Sequence, residues 1–255
     1  MIGERPATRT RDGWTVALGL ALSAFVLGGC NSSGPLQFRG TTASSFLRTV
    51  EQSNDPNARY RAYADLAAMR VYDDEGQKVR AAQVLAAKLK EGKEPIATRA
   101  VICRTLGQLG KPEAREVVLA ATSDEDALVR AEACRALGRV GRSEDGTMLA
   151  RVMTLDVSAE CRLAAIESLG DLRSQDRRIT QYLVSGMEHD EPAIRVASWN
   201  ALKAITGKDL GVDAMEWKKY VETLPDPSGL AAPARPTAPP DSGPGDKPPL
   251  PPEIP

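Results

Sequence analysis

Of the side chains able to do acid–base, nucleophilic or metal chemistry, histidine and cysteine are sparse, and carboxylates are many but unclustered. His189 is the only histidine, in a turn before Asp190-Glu191-Pro192. A single histidine excludes a two-histidine metal motif and argues against a Ser-His-Asp arrangement, so it reads as a solvated turn residue. Of four cysteines, Cys103, Cys134 and Cys161 read as small packing residues. Cys103 and Cys134 fall at the same phase of successive segments. A disulfide between them needs Cα atoms within roughly 7 Å, whereas packed helices lie about 8–10 Å apart. It therefore requires close local approach, and a redox role stays open. Asp73-Asp74-Glu75 and Ser123-Asp124-Glu125-Asp126 read as acids at helix starts, with a weak cation site as the alternative. Lys78, Arg80, Lys88, Lys90 and Lys93 read as a solvated helix face, with an anionic lipid surface or an acidic protein as the alternative. No phosphate-binding loop, GxSxG or GxGxxG occurs in strand–helix context. The expectation is no catalytic residue, no metal and no enzyme.

Composition narrows the elements that could position these groups. Aromatic residues are 4% of 255, so the core must be built from Ala, Leu, Val, Ile and Met, which favours close-packed helices. The net charge of −1 and the lack of a run of five like charges argue against nucleic acid as a partner.

The two ends differ from the middle. Arg5, Arg9 and Arg11 precede an apolar stretch from Trp14 to Leu27. Fourteen helical residues span roughly 21 Å, short of a ~30 Å hydrocarbon core, so the stretch reads as the core of a signal peptide, with an uncleaved anchor as the alternative. Leu27-Gly28-Gly29-Cys30 then resembles the bacterial lipobox. That resemblance implies cleavage between Gly29 and Cys30 and acylation of Cys30, with palmitate-like chains as the only covalent group. Two or more chains would hold the mature protein stably on the cell membrane or outer membrane, facing the periplasm or exterior. The expected divisions are a signal peptide over 1–29, a Ser/Gly/Thr-rich tether over 30–42, a folded region over 43–223 and a disordered tail over 224–255. From Pro225 onward the chain holds 12 of its 18 prolines, a composition that cannot bury a core. Spacer is the default reading of that tail, and a proline-recognition ligand is the other.

The middle repeats itself. Arg99, Arg130, Arg162 and Arg195 each precede a leucine by seven residues (Leu106, Leu137, Leu169, Leu202), and Gly107, Gly138 and Gly170 follow three of those leucines. Arg59 and Leu66 stand in the same relation in a more divergent first copy. Spacings of 31, 32 and 33 residues, after a first of 40, mark a repeat array. Within each unit one amphipathic helix carries a stripe such as Val129, Ala133, Ala136, Leu137 and Val140, and a glycine near its end is read as the stop. A second amphipathic helix follows, as over 113–121, 145–153 and 177–187, where Ile179, Tyr182 and Leu183 form the apolar side. The first unit has a long second helix, about Asp74–Glu91. Ala43–Gln52 reads as an N-terminal cap. Asp213 is expected to start a closing helix with Met215, Trp217 and Val221 against the last repeat.

These residues resemble short HEAT repeats of the kind found in HEAT-like lyase modules, over about 55–207. The resemblance implies an all-α fold, a right-handed α-α superhelix of about five helix pairs. It also implies that each repeat arginine contacts an acid near the start of the same or the adjacent helix; Glu125 or Asp126 with Arg130, and Glu191 with Arg195, have that spacing. By the same family geometry the second helices line the binding side, which nominates Lys78, Arg80, Glu113, Arg115, Arg151, Arg177, Arg178 and Gln181 as partner contacts. The leading expectation is a membrane-tethered, non-enzymatic protein-binding scaffold of the bacterial envelope, with an unidentified protein partner. The alternatives are a mechanical membrane-to-wall spacer and a HEAT-like, lyase-related enzyme.

Overall fold

A computed structural model describes residues 42–225, except position 175. The signal peptide, the Gly29–Cys30 junction, nearly all of the tether and the proline-rich tail lie outside the described residues. Within them the chain forms α-helices and short 3-10 turns, and no strand. The helices are α1 (Ala43–Gln52), α2 (Pro56–Asp65), α3 (Glu75–Glu91), α4 (Ile96–Leu109), α5 (Arg115–Ala121), α6 (Ala127–Val140), α7 (Gly146–Leu155), α8 (Ala159–Leu172), α9 (Arg177–Gly186), α10 (Pro192–Thr206) and α11 (Ala214–Glu222). Five pairs follow the capping helix α1, with α2, α4, α6, α8 and α10 as first helices. The long first spacing is taken up by the 3-10 turn Met69–Val71 and the 17-residue α3.

Five helix starts share one local cause. The side chains of Asp55, Asp74, Asp126, Asp176 and Asp213 each accept from a backbone N–H in the first turn they precede. The acids read as a weak cation site are thereby engaged: Asp74 accepts from Gln77 N at 2.8 Å and Asp126 from Leu128 N at 2.9 Å. His189 has a similar turn role, its Nδ1 accepting from Glu191 N at 3.1 Å.

First helices stack one on the next, α4 on α6, α6 on α8 and α8 on α10. A glycine does follow the end of α4, α6 and α10, at Gly110, Gly141 and Gly207, but the glycines after the repeat leucines have another role. Gly107, Gly138 and Gly170 do not stop helices; they lie inside α4, α6 and α8. A Cβ at Gly107 would stand 2.7 Å from Ala136 Cα, and one at Gly138 would stand 3.0 Å from Ser168 Cα. Glycine is there because the next backbone passes where a side chain would be. The true stop of α4 is Gly110, at φ 64°. Alanine favours a helix interior over glycine by about 1 kcal/mol. Gly107→Ala is nevertheless expected to destabilise the protein, by a net of about 1–3 kcal/mol. A urea melt showing a more stable variant would contradict the close stacking.

The core is one continuous cluster of Ala, Leu, Val, Ile and Cys along the stacked helices, closed by the two terminal helices. Helix α1 buries Ala43, Leu47 and Val50. At the other end Trp217 is fully buried, donates from Nε1 to Gly211 O at 2.8 Å and meets Tyr220 edge-on at 6.3 Å. Met215, expected to face the last repeat, is instead 54% exposed.

Candidate protein-binding face

The repeat arginines lock each unit to the next. Arg59 pairs with Glu94 at 2.9 Å, Arg99 with Asp124 at 2.9 Å, Arg130 with Asp156 at 2.8 Å and Arg162 with Glu191 at 2.5 Å. In each case the acid sits in the turn leading into the next first helix. The same guanidinium also holds its own leading turn: Arg130 Nη1 donates to Asp124 O and Glu125 O, both at 3.0 Å, and Arg195 Nη1 donates to His189 O at 2.9 Å. The adjacent-helix contact implied by the family resemblance is therefore present. The same-helix pairs are not: Glu191 serves Arg162, and Asp126 caps α6. Arg130 holds the Asp156 carboxyl below its ordinary range, through hydrogen bonding first. In the first unit Tyr63 adds a hydroxyl donated to Glu94 at 3.1 Å, below the surface.

On the face made by the first helices some charges satisfy one another across repeats. Arg104 pairs with Glu132 at 2.7 Å, Glu132 with Arg135 at 3.2 Å, and Arg135 with Glu160, a chain running across α4, α6 and α8. The second-helix face is different: a groove opens between each neighbouring pair. A groove of about 540 Å³ lies between α3 and α5, lined by Ala86, Ala87, Lys90, Glu113, Glu116 and Val117 among others. One of about 220 Å³ runs between the end of α5 and α7, with Ser123, Met148, Arg151 and Leu155. One of about 260 Å³ separates α7 from α9, with Arg151, Leu155, Arg178 and Tyr182. The last, about 230 Å³, separates α9 from α11, with Gln181, Ser185 and Lys218.

Of the residues nominated from sequence, Glu113, Arg151, Arg178 and Gln181 line these grooves. Four do not. Lys78 pairs with Glu75 at 3.0 Å, and Arg80 is exposed away from the grooves. Arg115 is a structural bridge, gripping the buried Asp145 with bonds of 2.8 and 2.7 Å and Glu144 with one of 2.6 Å. Arg177 is half-buried and donates to Leu224 O at 3.4 Å. Sequence reasoning placed Lys90 on a basic face with an acidic protein as the alternative contact, and it missed Glu116, Leu155, Tyr182 and Lys218 as groove residues. Tyr182 was assigned to the buried side of α9 but is 48% exposed.

The chemistry available is limited. Cys103, Cys134 and Cys161 are free thiols and buried, as packing residues should be. Burial pushes the Cys103 and Cys134 thiols up to about 12. The fold thus favours the neutral thiol, while the unfolded chain ionises near pH 8.5. The stability this contributes is complete below that pH and lost as pH rises towards 12. Under reducing conditions the melting temperature should fall more steeply between pH 8 and 10.5 in the wild type than in Cys103→Ala/Cys134→Ala. Parallel curves would refute the assignment. Among the described residues no three His, Cys, Asp or Glu side chains gather to hold a metal ion. No described helix is long and apolar enough to cross a membrane.

Comparison with known proteins extends this picture. Residues 82–170 match the family model for HEAT repeats. A search of curated protein sequences gives no match. Among solved structures, the complex of CpcE and CpcF of phycocyanin lyase from Nostoc sp. PCC7120 is similar, with a TM-score of 0.54 and 20% identity. The match covers 72% of this chain and 71% of that one. An engineered protein matches with a TM-score of 0.49 and 18% identity, covering 64% of this chain and 78% of its own. The first likeness corrects the expectation that the chain is no enzyme. That expectation rested on the lack of a recognisable catalytic constellation, and a lyase complex shares this fold, so the architecture gives no ground for it. Over its described residues the chain has an all-helical, HEAT-repeat solenoid-like fold.

Proposed function

We propose that this chain is a membrane-tethered HEAT-repeat protein that binds a protein partner across the grooves between its second helices. The observation that carries the reading is the row of grooves on one face. It is the second-helix face that opens into four grooves, which hold the exposed apolar side chains of Leu155 and Tyr182 and, at Glu113, Glu116 and Arg151, charges without an ion pair among the described residues; the first helices stack directly on one another. The tether rests on the sequence: a basic start, an apolar run and a lipobox-like Leu27-Gly28-Gly29-Cys30. The chain would sit on an envelope membrane and hold its partner there. Affinity purification after crosslinking in cells, with Cys30→Ala as comparison, tests both parts. One or a few partners recovered from the membrane fraction, and lost from it in the variant, are expected. An unchanged membrane fraction for Cys30→Ala would end the lipid-anchor reading.

The likeness to the CpcE–CpcF structure favours a second reading, in which the chain is lyase-related and acts on a group carried by the bound partner. Incubation with a phycocyanin apoprotein and bilin, followed by the absorbance of covalently attached pigment, tests it. Attachment no greater than in a protein-free control would end that reading.

A further inference from the structure

Two of the four grooves adjoin and share residues. Arg151 and Leu155 line both the groove between α5 and α7 and the groove between α7 and α9. Leu155 is 71% exposed and Tyr182, on the far lip, is 48% exposed. Arg151 is exposed and makes no ion pair among the described residues. Every carboxylate lining the two grooves is already engaged, Asp156 by Arg130 at 2.8 Å and Asp176 by Arg178 at 2.8 Å. Arg151 is therefore the uncompensated charge there, flanked by a leucine and a tyrosine that the fold leaves uncovered. Arginine and tyrosine set into a partly apolar cleft are the residue types that dominate binding energy at protein interfaces. The α3–α5 groove has the opposite character: Glu113 and Glu116 line it without ion pairs among the described residues, against Lys90 alone.

We propose that Arg151, Leu155 and Tyr182 form the anchor point for an acidic, apolar segment of the partner. In such a segment an Asp or Glu side chain meets the Arg151 guanidinium, and an adjacent apolar side chain fills the space between Leu155 and Tyr182. The guanidinium offers a carboxylate two parallel N–H donors, which a lysine there would not. The proposal rests on the reading of the second-helix face as the binding surface and gives that surface its polarity.

Two short fluorescent amphipathic peptides provide the test, titrated onto the full chain and followed by anisotropy. They share one sequence, except that one carries Glu and the other Lys beside its leucines. The Glu peptide is expected to bind at least about tenfold more tightly, with an affinity that falls as salt is added. Arg151→Glu should reverse the preference, and Tyr182→Ala should weaken the Glu peptide by roughly tenfold. Arg151 is exposed without an ion pair among the described residues and Tyr182 is half exposed, so these variants leave the fold intact. An unchanged preference in Arg151→Glu overturns the anchor, as does binding of neither peptide. Binding that survives Arg151→Glu but is lost in Ala120→Asp, at an exposed position of the α3–α5 groove, also overturns it, while leaving the second-helix face as the binding surface. Binding indifferent to both substitutions defeats the face itself.

Discussion

Leu137→Asp is expected to cost at least about 4 kcal/mol and to abolish cooperative unfolding near ambient temperature. Leu137 is fully buried on α6, whose neighbours α4 and α8 press on it from both sides. A carboxylate there has no cation within the stripe of Val129, Ala133, Ala136 and Val140, and would be forced either to protonate or to part the stack. The same substitution nearby gives a control. Leu128 lies in the first turn of the same helix and is 47% exposed. Leu128→Asp should change stability by no more than about 0.5 kcal/mol, because the site is solvated and a helix N-terminus favours negative charge. Thermal melts by circular dichroism separate the two. Equal effects would mean that the helical phase of the array is misassigned.

Arg130→Met is the second large effect. The substitution leaves the Asp156 carboxylate, 8% exposed, without its guanidinium and frees the carbonyls of Asp124 and Glu125. Removing one partner from such a pair is expected to cost about 3 kcal/mol at neutral pH. The effect should depend on pH in a defined direction. Asp156 has a depressed pKa in the fold, owed first to its hydrogen bonds from Arg130. The stability this contributes is present above the ordinary carboxylate value near 3.9 and is lost as pH falls through the folded value. The gap between wild type and Arg130→Met should therefore narrow from pH 7 towards pH 3. Arg195 supplies the comparison within the ladder: it holds its own turn, with bonds of 2.9 and 2.8 Å, but no further repeat brings it a carboxylate. Arg195→Met is expected to cost about 1 kcal/mol or less. Equal losses at Arg130 and Arg195 would show that the bridge between repeats contributes nothing.

The parts of the fold legible in sequence are those set within a single helix. Apolar spacing placed Val129, Ala133, Ala136, Leu137 and Val140 on one buried stripe, and all five are buried. The bounds of α1 and the cap at Asp213 also followed from local chemistry. Features that depend on how one repeat lies on the next were not legible. The spacing of Glu125, Asp126 and Arg130 allows a pair along one helix, yet stacking brings Arg130 to Asp156, 26 residues away. Gly107 and Gly138 look like stops because they stand near helix ends, and only the approach of the neighbouring backbone shows their role. Arg115 reads as a surface cation until Asp145 is seen beneath it. The grooves are gaps between second helices, some as short as the seven residues of α5, and no property of an isolated helix predicts them. Tyr182 is exposed for the same reason: the periodicity of α9 gives it an apolar face, but no neighbouring helix closes over its edge.

The most direct test of the binding face is photocrosslinking in cells. A photoreactive amino acid is placed once at Tyr182, on the second-helix face, and once at Tyr60, which is 40% exposed on the first helix α2. The account predicts discrete crosslinked protein species from position 182 that disappear in Arg151→Glu, and none from position 60. Crosslinks from position 60 alone, or equal crosslinks from both that ignore Arg151, would contradict it.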